Sequence, residues 1–375
     1  MDKMTKIKEY FSAIETSKEH NGYFCSVVEA LTVVILGSLC GLRNVNQIHQ
    51  WATDSRVSDV LARCFHIRNV PCCYWLLCLL KIIKPASLNK CLMHWVQSFL
   101  TNGVKELTLS FDGKTIRSTG KMDKYENPLH IISAHIAEIG ITIASQKLDD
   151  KSNQIPAMRK LIEFLNIEGC IVVADALHCQ KETAAVIIES KADYLLSVKG
   201  NQPTLKEDIE DYIQNNELRK CMETSQTIEQ NSSRIESRTA FISHDTSWLN
   251  DLGWSNLSCI GAIHTQFNYK GKTTSEWHYY ISSRKLSAET LLKHARLEWS
   301  VESMHWLLDV HFGEDFCRIE DENIQQTLNM VRKTALNNIK LYKQATKSKL
   351  PLSKIMFSCL LAPEKLLDVF IVGEN

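Results

Sequence analysis

Leu107-Thr108-Leu109-Ser110-Phe111-Asp112-Gly113 and Cys170-Ile171-Val172-Val173-Ala174-Asp175 are the two stretches on which the fold turns. In the first, Leu107, Leu109 and Phe111 alternate with Thr108 and Ser110, the two-residue period of a strand that ends at Asp112-Gly113. The second is a short, wholly apolar run, as expected of a strand buried on both faces. Both stop at an aspartate. Outward from them, Leu129 to Ile136 and Ile141 to Lys147 are Ile-rich strands hinged at Glu138 to Gly140, which reads as a hairpin. Ile155 to Leu165, Gln180 to Lys191 and Thr204 to Ile213 carry helical periodicity, and Tyr194 to Val198 is one more apolar strand.

The order is three strands, helix, strand, helix, strand, helix. Short apolar strands alternating with helices imply parallel pairing under helical cover. This is the element order of the ribonuclease H fold. Before it, residues 1–100 read as an all-helical module, with apolar positions recurring at helical spacing from Ile14 through Leu39 and a stop at Gly41. After it, Arg238 to Ser243, Leu257 to His264 and Trp277 to Ser282 suggest a β-rich insertion at about 220–285, followed by helices over Leu286 to Arg296 and Ser300 to Val310. The expected architecture is therefore α/β: a ribonuclease H-like mixed sheet with flanking helices and a β-rich insertion over 101–350, preceded by a small helical domain over 1–100 and followed by a tail over 351–375.

Composition adds boundaries. A chain of 375 residues that is 44% hydrophobic can bury a sizeable core. Lys plus Arg and Asp plus Glu both number 43, so net charge alone gives no reason to expect a polyanionic partner. Charge is uneven, however. Val331 to Ile355 contains Arg332, Lys333, Lys340, Lys343, Lys347, Lys349 and Lys354 and no acid, which reads as a basic arm suited to phosphate contact. The thirteen cysteines are scattered and odd in number, with no signal peptide before them, so they read as reduced thiols of a cytoplasmic protein. Cys64, Cys72, Cys73 and Cys78 include no C-x-x-C pair, which argues against a zinc knuckle. Val27 to Leu42 and Cys72 to Ile83 are too short to span a bilayer and read as buried helices.

Asp112 and Asp175 each sit at the carboxyl end of an expected strand, where open α/β sheets place catalytic groups. Taken alone, Asp112 could equally be a turn residue, and Asp175 a helix N-cap. Glu302 is a third acid, in a helix otherwise rich in Trp and Leu. Glu298, Glu302, His305 and Asp309 are spaced as one polar stripe, which could also simply face solvent. Three converging carboxylates would repel without a metal, and oxygen-only ligation suits Mg²⁺ or Mn²⁺. Two such ions can drive an in-line phosphoryl displacement. Ser197 to Gln202 follows an apolar strand: Lys199 could hold a DNA phosphate, and Asn201 and Gln202 could donate to backbone oxygens, or the segment could be only a Gly-Asn turn. Trp299 and Trp306 could stack on bases, but core packing is the ordinary role of such residues.

Several of these segments together resemble insertion-sequence transposases of the H-repeat-associated subgroup. They are Leu109 to Arg117, Lys151-Ser152-Asn153, Val173 to Ala176 with Gln180-Lys181-Glu182, Asp193-Tyr194 with Lys199 to Gln202, and Trp299 to Glu302 with His305 to Val310 and Glu314-Asp315. Leu39-Cys40-Gly41 in the helical front fits as well. The resemblance implies a DDE triad at Asp112, Asp175 and Glu302 that is both catalytic and metal-binding, two Mg²⁺ or Mn²⁺ ions, and strand cleavage and strand transfer at the element's terminal inverted repeats. It further implies double-stranded DNA as partner, a homodimer in the DNA complex, and location in the bacterial cytoplasm at the nucleoid. Lys114, Arg117, Lys199, Asn201, Gln202, Arg296 and Trp299 are the candidate DNA contacts. A DNA-binding relative without activity and a metal-dependent nuclease without strand transfer are the competing readings. The chain departs from the usual pattern at Gln154 and at Ser303.

Overall fold

The computed structural model describes residues 9–20, 24–100, 107–116, 128–148, 154–231, 234–269 and 271–370. The strands are β1 (Thr108–Ile116), β2 (Leu129–Ile136), β3 (Ile141–Leu148), β4 (Ile171–Ala174), β5 (Asp193–Val198), β6 (Glu223–Asn231), β7 (Arg234–Ser243), β8 (Cys259–Tyr269) and β9 (Lys272–Ser282). Their order is β3-β2-β1-β4-β5-β9-β8-β7-β6. The chain divides into two compact units, one of Gly103–Asp112 and Ile155–Val301, the other of Met1–Asn102, Gly113–Gln154 and Glu302–Asn375. Residues before 100 and after 350 share a unit with the β2–β3 hairpin.

In the first of these units, β1 pairs parallel with β4 and β4 parallel with β5. The following strands run antiparallel from β5 to β9 and on through β8 and β7 to β6. The order 3-2-1-4-5 with parallel β1, β4 and β5 is the ribonuclease H arrangement implied by the element order. The insertion has one strand more than its pattern suggested. β6 reads Glu-Thr-Ser-Gln-Thr-Ile-Glu-Gln-Asn and has no apolar face to announce it. The insertion also prolongs the main sheet, because β9 pairs directly with β5.

Residues of one sheet face, including Ile171, Val173, Leu195, Ala240, Ile242 and Ile263, pack with Ala288, Leu291, Leu292 and Ala295 of a covering helix, Ala288–Glu298. Gly261 of β8 makes that approach possible, since a Cβ there would stand 2.7 Å from Leu291. The polar alternation of β1 does not face water. Thr108 and Ser110 are buried, and Thr108 shares a 2.8 Å hydrogen bond with His294. β1 also continues past Asp112-Gly113 to Ile116, which corrects the expected end of this strand. Gly113 lacks the positive φ that a tight hairpin turn would need.

The helices, in chain order, are α1 (Val27–Leu39), α2 (Val45–Ala52), α3 (Ser55–Phe65), α4 (Cys73–Ile82), α5 (Pro85–Leu100), α6 (Gln154–Phe164), α7 (Lys181–Glu189), α8 (Pro203–Gln214), α9 (Asn216–Lys220), α10 (Ala288–Glu298), α11 (Ser300–Phe312), α12 (Glu322–Thr346), α13 (Leu352–Leu361) and α14 (Leu366–Phe370). In the second unit, α1 starts with a capping box between Ser26 and Glu29 and buries eleven of its residues, so Glu29 serves as its cap. α4 is only partly buried, with Tyr74 and Trp75 exposed. Gly140, at φ +74°, closes the β2–β3 turn. No described helix is long and apolar enough to cross a membrane. All thirteen cysteines are free thiols.

α12 is the central helix of this unit, packing on α1, α4, α5, α14 and β3. The basic arm read from Val331 to Ile355 is corrected in its first part, since Arg332 and Lys333 are only 5% and 4% exposed, while Lys347, Lys349 and Lys354 stay exposed. Lys333 Nζ donates to Ser133 Oγ and Ser145 Oγ, both at 2.8 Å. Burial pushes its ammonium down to about 8 against the pull of Glu314. The Asn337 side chain exchanges two hydrogen bonds with the Thr142 backbone, acting as a partner for β3. Beside this helix, Glu314 is fully buried and accepts from Lys114 Nζ at 3.1 Å and Asn329 Nδ2 at 2.8 Å. Burial alone would raise its carboxyl, yet Lys114, Lys333 and Arg332 hold it below the usual range.

Breaking a buried ion pair by neutralising one member leaves the other charge stranded. Glu314→Gln is therefore expected to lower unfolding free energy by about 3 kcal/mol in urea titrations near neutral pH. Because the folded carboxyl titrates below its unfolded value of about 4.5, this contribution is complete above that pH and disappears as pH falls through the folded value. The gap between wild type and variant should close in acid.

Candidate active site

The register of β1 on β4 places the aspartates. Thr108, Leu109 and Ser110 lie opposite Ile171, Val172 and Val173, a constant offset of 63 residues. Asp112 and Asp175 keep that offset, each two residues past the last pair, Ser110 and Val173; Asp112 is still inside β1 and Asp175 directly follows β4. Residues opposite one another in register point to the same sheet face. Asp112 is half-buried and Asp175 exposed. The hairpin-turn role for Asp112 is excluded by its place inside β1. Asp175 takes the N-cap position of a 3₁₀ turn, Ala176–His178, but its side chain makes no capping hydrogen bond.

His178, on that turn, is 1% exposed and close enough to feel both aspartate charges. Burial holds its imidazole below the usual histidine range against the opposing pull of Asp175 and Asp112. Its Nδ1 is buried without a hydrogen-bond partner. Nothing in the pattern Asp-Ala-Leu-His singled this residue out beforehand.

The Lys199 to Gln202 loop has a different local task from the one expected. Asn201 Nδ2 donates to Ala176 O at 2.6 Å, and Gln202 Nε2 donates to Cys179 O at 3.0 Å. Both amides therefore tie down the turn that follows Asp175. The signal was present in the sequence as a carboxamide pair after the neighbouring parallel strand, but the partner was taken to be DNA. Lys199 stays exposed at the end of β5.

Glu302 is exposed in the first turn of α11. The polar stripe proposed for this helix breaks up. Glu298 ends α10, with Trp299 as its C-cap, so it shares no helix with Glu302. His305 is buried, and Asp309 pairs with Lys114 at 2.5 Å. Lys114 is thus bound to Asp309 and Glu314, with a side chain only 12% exposed. Arg296 is paired with Glu229. Arg117, like Lys151-Ser152-Asn153, lies outside the described residues. Core packing fails for both tryptophans, because Trp299 is 63% and Trp306 60% exposed while Val301, Met304, Leu308 and Phe312 take the inward positions of α11. Trp306 stands four residues after Glu302, on its exposed face.

As a divalent-cation site, the aspartate pair offers hard oxygen donors of the right kind. Among the described residues no group of three His, Cys, Asp or Glu side chains gathers as a metal site. The two aspartates belong to one compact unit, and Glu302 is assigned to the other.

A ribonuclease H-like sheet with one aspartate inside β1 and another directly after the parallel β4 defines an α/β protein with a candidate carboxylate site on neighbouring strands. The chain belongs to the Transposase DDE domain family, whose model matches residues 105–338. It is 32% identical over 279 residues to the "H repeat-associated putative transposase YhhI" of Escherichia coli K12, covering 72% of this chain and 74% of that protein. It is also 32% identical over 265 residues to the "Putative transposase YncI" of Escherichia coli O157:H7, covering 68% and 67%. A cryo-EM structure of a piggyBac transposase synaptic complex with hairpin DNA overlaps 98% of this chain and 77% of that one, at 9% identity and a TM-score of 0.44.

The Asn201 bond is testable apart from activity. Asn201→Leu removes one hydrogen bond of about 1 kcal/mol from the turn, so amide exchange over residues 175–179 should quicken about fivefold. Affinity for DNA in EDTA should stay unchanged; a fall in that affinity would mean that the amide serves DNA.

Proposed function

We propose that the chain is an active transposase that cuts DNA at the terminal inverted repeats of its own element and joins the freed 3′ ends to target DNA. Asp112, Asp175 and Glu302 act as the catalytic, metal-binding triad. The observation that carries this reading is the parallel register of β1 on β4, which sets Asp112 and Asp175 each two residues beyond the Ser110–Val173 pair. Glu302 is proposed as the third acid from the resemblance of Trp299 to Glu302 and His305 to Val310 to the family's last motif, and from its exposure in the first turn of α11.

In this reading the three carboxylates would hold Mg²⁺ or Mn²⁺, two ions as the resemblance implies. Such ions, when bound, supply the Lewis acidity that activates a water or 3′-hydroxyl and stabilises the leaving oxygen. The chain's own residues orient and exclude. The Asn201 and Gln202 amides fix the turn after Asp175. His178 seals the floor of the pair as a neutral ring. Lys199, at the end of β5, is placed to meet a backbone phosphate, and the exposed Trp299 and Trp306 offer ring faces near Glu302 in sequence. Double-stranded DNA at element ends and target is the proposed partner, with a homodimer pairing two ends in the DNA complex. The protein would work in the cytoplasm, at the nucleoid.

A labelled duplex carrying the inverted repeat, incubated with Mg²⁺ and a target plasmid, tests the proposal. Wild type should cut and join. Asp112→Asn, Asp175→Asn and Glu302→Gln should each lose at least a thousandfold in rate, about 4 kcal/mol of transition-state stabilisation. EDTA should abolish both steps. Cutting without joining would mean a nuclease, and equal binding without cutting in all four proteins would mean a DNA-binding relative. Activity retained in Glu302→Gln but lost in Glu298→Gln would move the third role to Glu298.

A further inference from the structure

Within the unit built around α12 lies a cavity of about 310 Å³, at the lower end of the range for ligand sites. Three arginines, Arg43, Arg318 and Arg332, are among the residues that line it, together with Ser38, Asn44 and Phe316. No carboxylate is among its lining residues. One sign of charge collected in a concave wall concentrates the field and draws anions.

Arg332 is the anchor of the argument. It is nine-tenths buried, and a buried guanidinium is costly unless acceptors meet it. It feels the charge of Glu314, but the hydrogen bonds of that carboxylate go to Lys114 and Asn329. Arg43 donates to Val310 O at 2.8 Å and carries further donors on the same planar fork. α2 begins in this wall, with Asn44 as its cap, and the first-turn amides of a helix add positive potential. Phe316 is 76% exposed, an open ring next to the guanidinium groups. Forked cations match phosphate oxygens, and a bare ring matches a base.

We propose that this cavity binds a nucleotide: Arg43, Arg318 and Arg332 take the phosphate oxygens, and Phe316 stacks on the attached base. The nucleotide is either one unit of a DNA strand or a free mononucleotide. The site is remote in sequence from the aspartates, and its occupancy does not depend on whether they cut DNA.

The test uses the full chain carrying Asp175→Asn, in EDTA, so that binding is read without cleavage. Arg318 and Phe316 are exposed, and Arg318→Ser and Phe316→Ala should leave the fold intact; Arg332→Lys probes the buried cation. If a DNA strand is the ligand, Arg318→Ser should reduce the slope of log affinity against log salt by about one, and Phe316→Ala should weaken single-strand binding about fivefold or more. If a free nucleotide is the ligand, calorimetry with dAMP should show binding that Arg318→Ser and Arg332→Lys weaken about tenfold, while DNA affinity stays unchanged. Binding of inorganic phosphate alone, indifferent to Phe316→Ala, would overturn the base-stacking half of the proposal. No difference between parent and variants for DNA, dAMP or phosphate would overturn it whole.

Discussion

The parallel pairing of β1 with β4 at one fixed register is the constraint from which the site follows. In a sheet the side-chain period is two, so a one-residue slip would turn Asp175 to the opposite face from Asp112. Burial enforces the register. Ile171 and Val173 are committed to one core and Val172 and Ala174 are buried as well, so no slip leaves their packing intact. Thr108 and Ser110, in register with Ile171 and Val173, tie the same face to His294 and Ser300. Two carboxylates held side by side gain nothing in stability by their proximity. Their arrangement is the kind of locally unfavourable feature that function retains and the surrounding packing supports.

Cations in this chain divide into two populations, and the division explains why composition is a poor guide to partners here. Lys114 and Lys333 lie inside, balanced by Glu314, Asp309 and the hydroxyls of Ser133 and Ser145. Lys199 and Arg318 lie outside. A net charge of zero sums over both, although only cations at the surface or lining a cavity can meet a phosphate.

The strands around the aspartates were legible because their apolar residues are uninterrupted and their ends are marked by acids and turns; β2, β3, β4 and β5 lie within a residue of the expected bounds. β6 was not legible, since an edge strand of Glu, Thr, Ser and Gln buries no face and leaves no period. The stripe from Glu298 to Asp309 misled because spacing assumes an unbroken helix, and a break at Trp299 is invisible to spacing. The basic arm misled for a related reason: a helix at the centre of a unit can bury lysine if hydroxyls receive it, as Ser133 and Ser145 do. Asn201 and Gln202 were recognised as donors, but a partner 25 and 23 residues away in the chain cannot be read from local pattern.

The central claim is that Asp112, Asp175 and Glu302 hold the same divalent ions. Fe²⁺ in place of Mg²⁺, with ascorbate and peroxide, cuts polypeptide backbone next to the metal it occupies, and the fragments report which segments surround it. The account predicts cuts at three places, near 112, 175 and 302, all suppressed by excess Mg²⁺ and all lost together in Asp175→Asn. Cuts near 112 and 175 without one near 302, or cuts that survive Asp175→Asn, would contradict it.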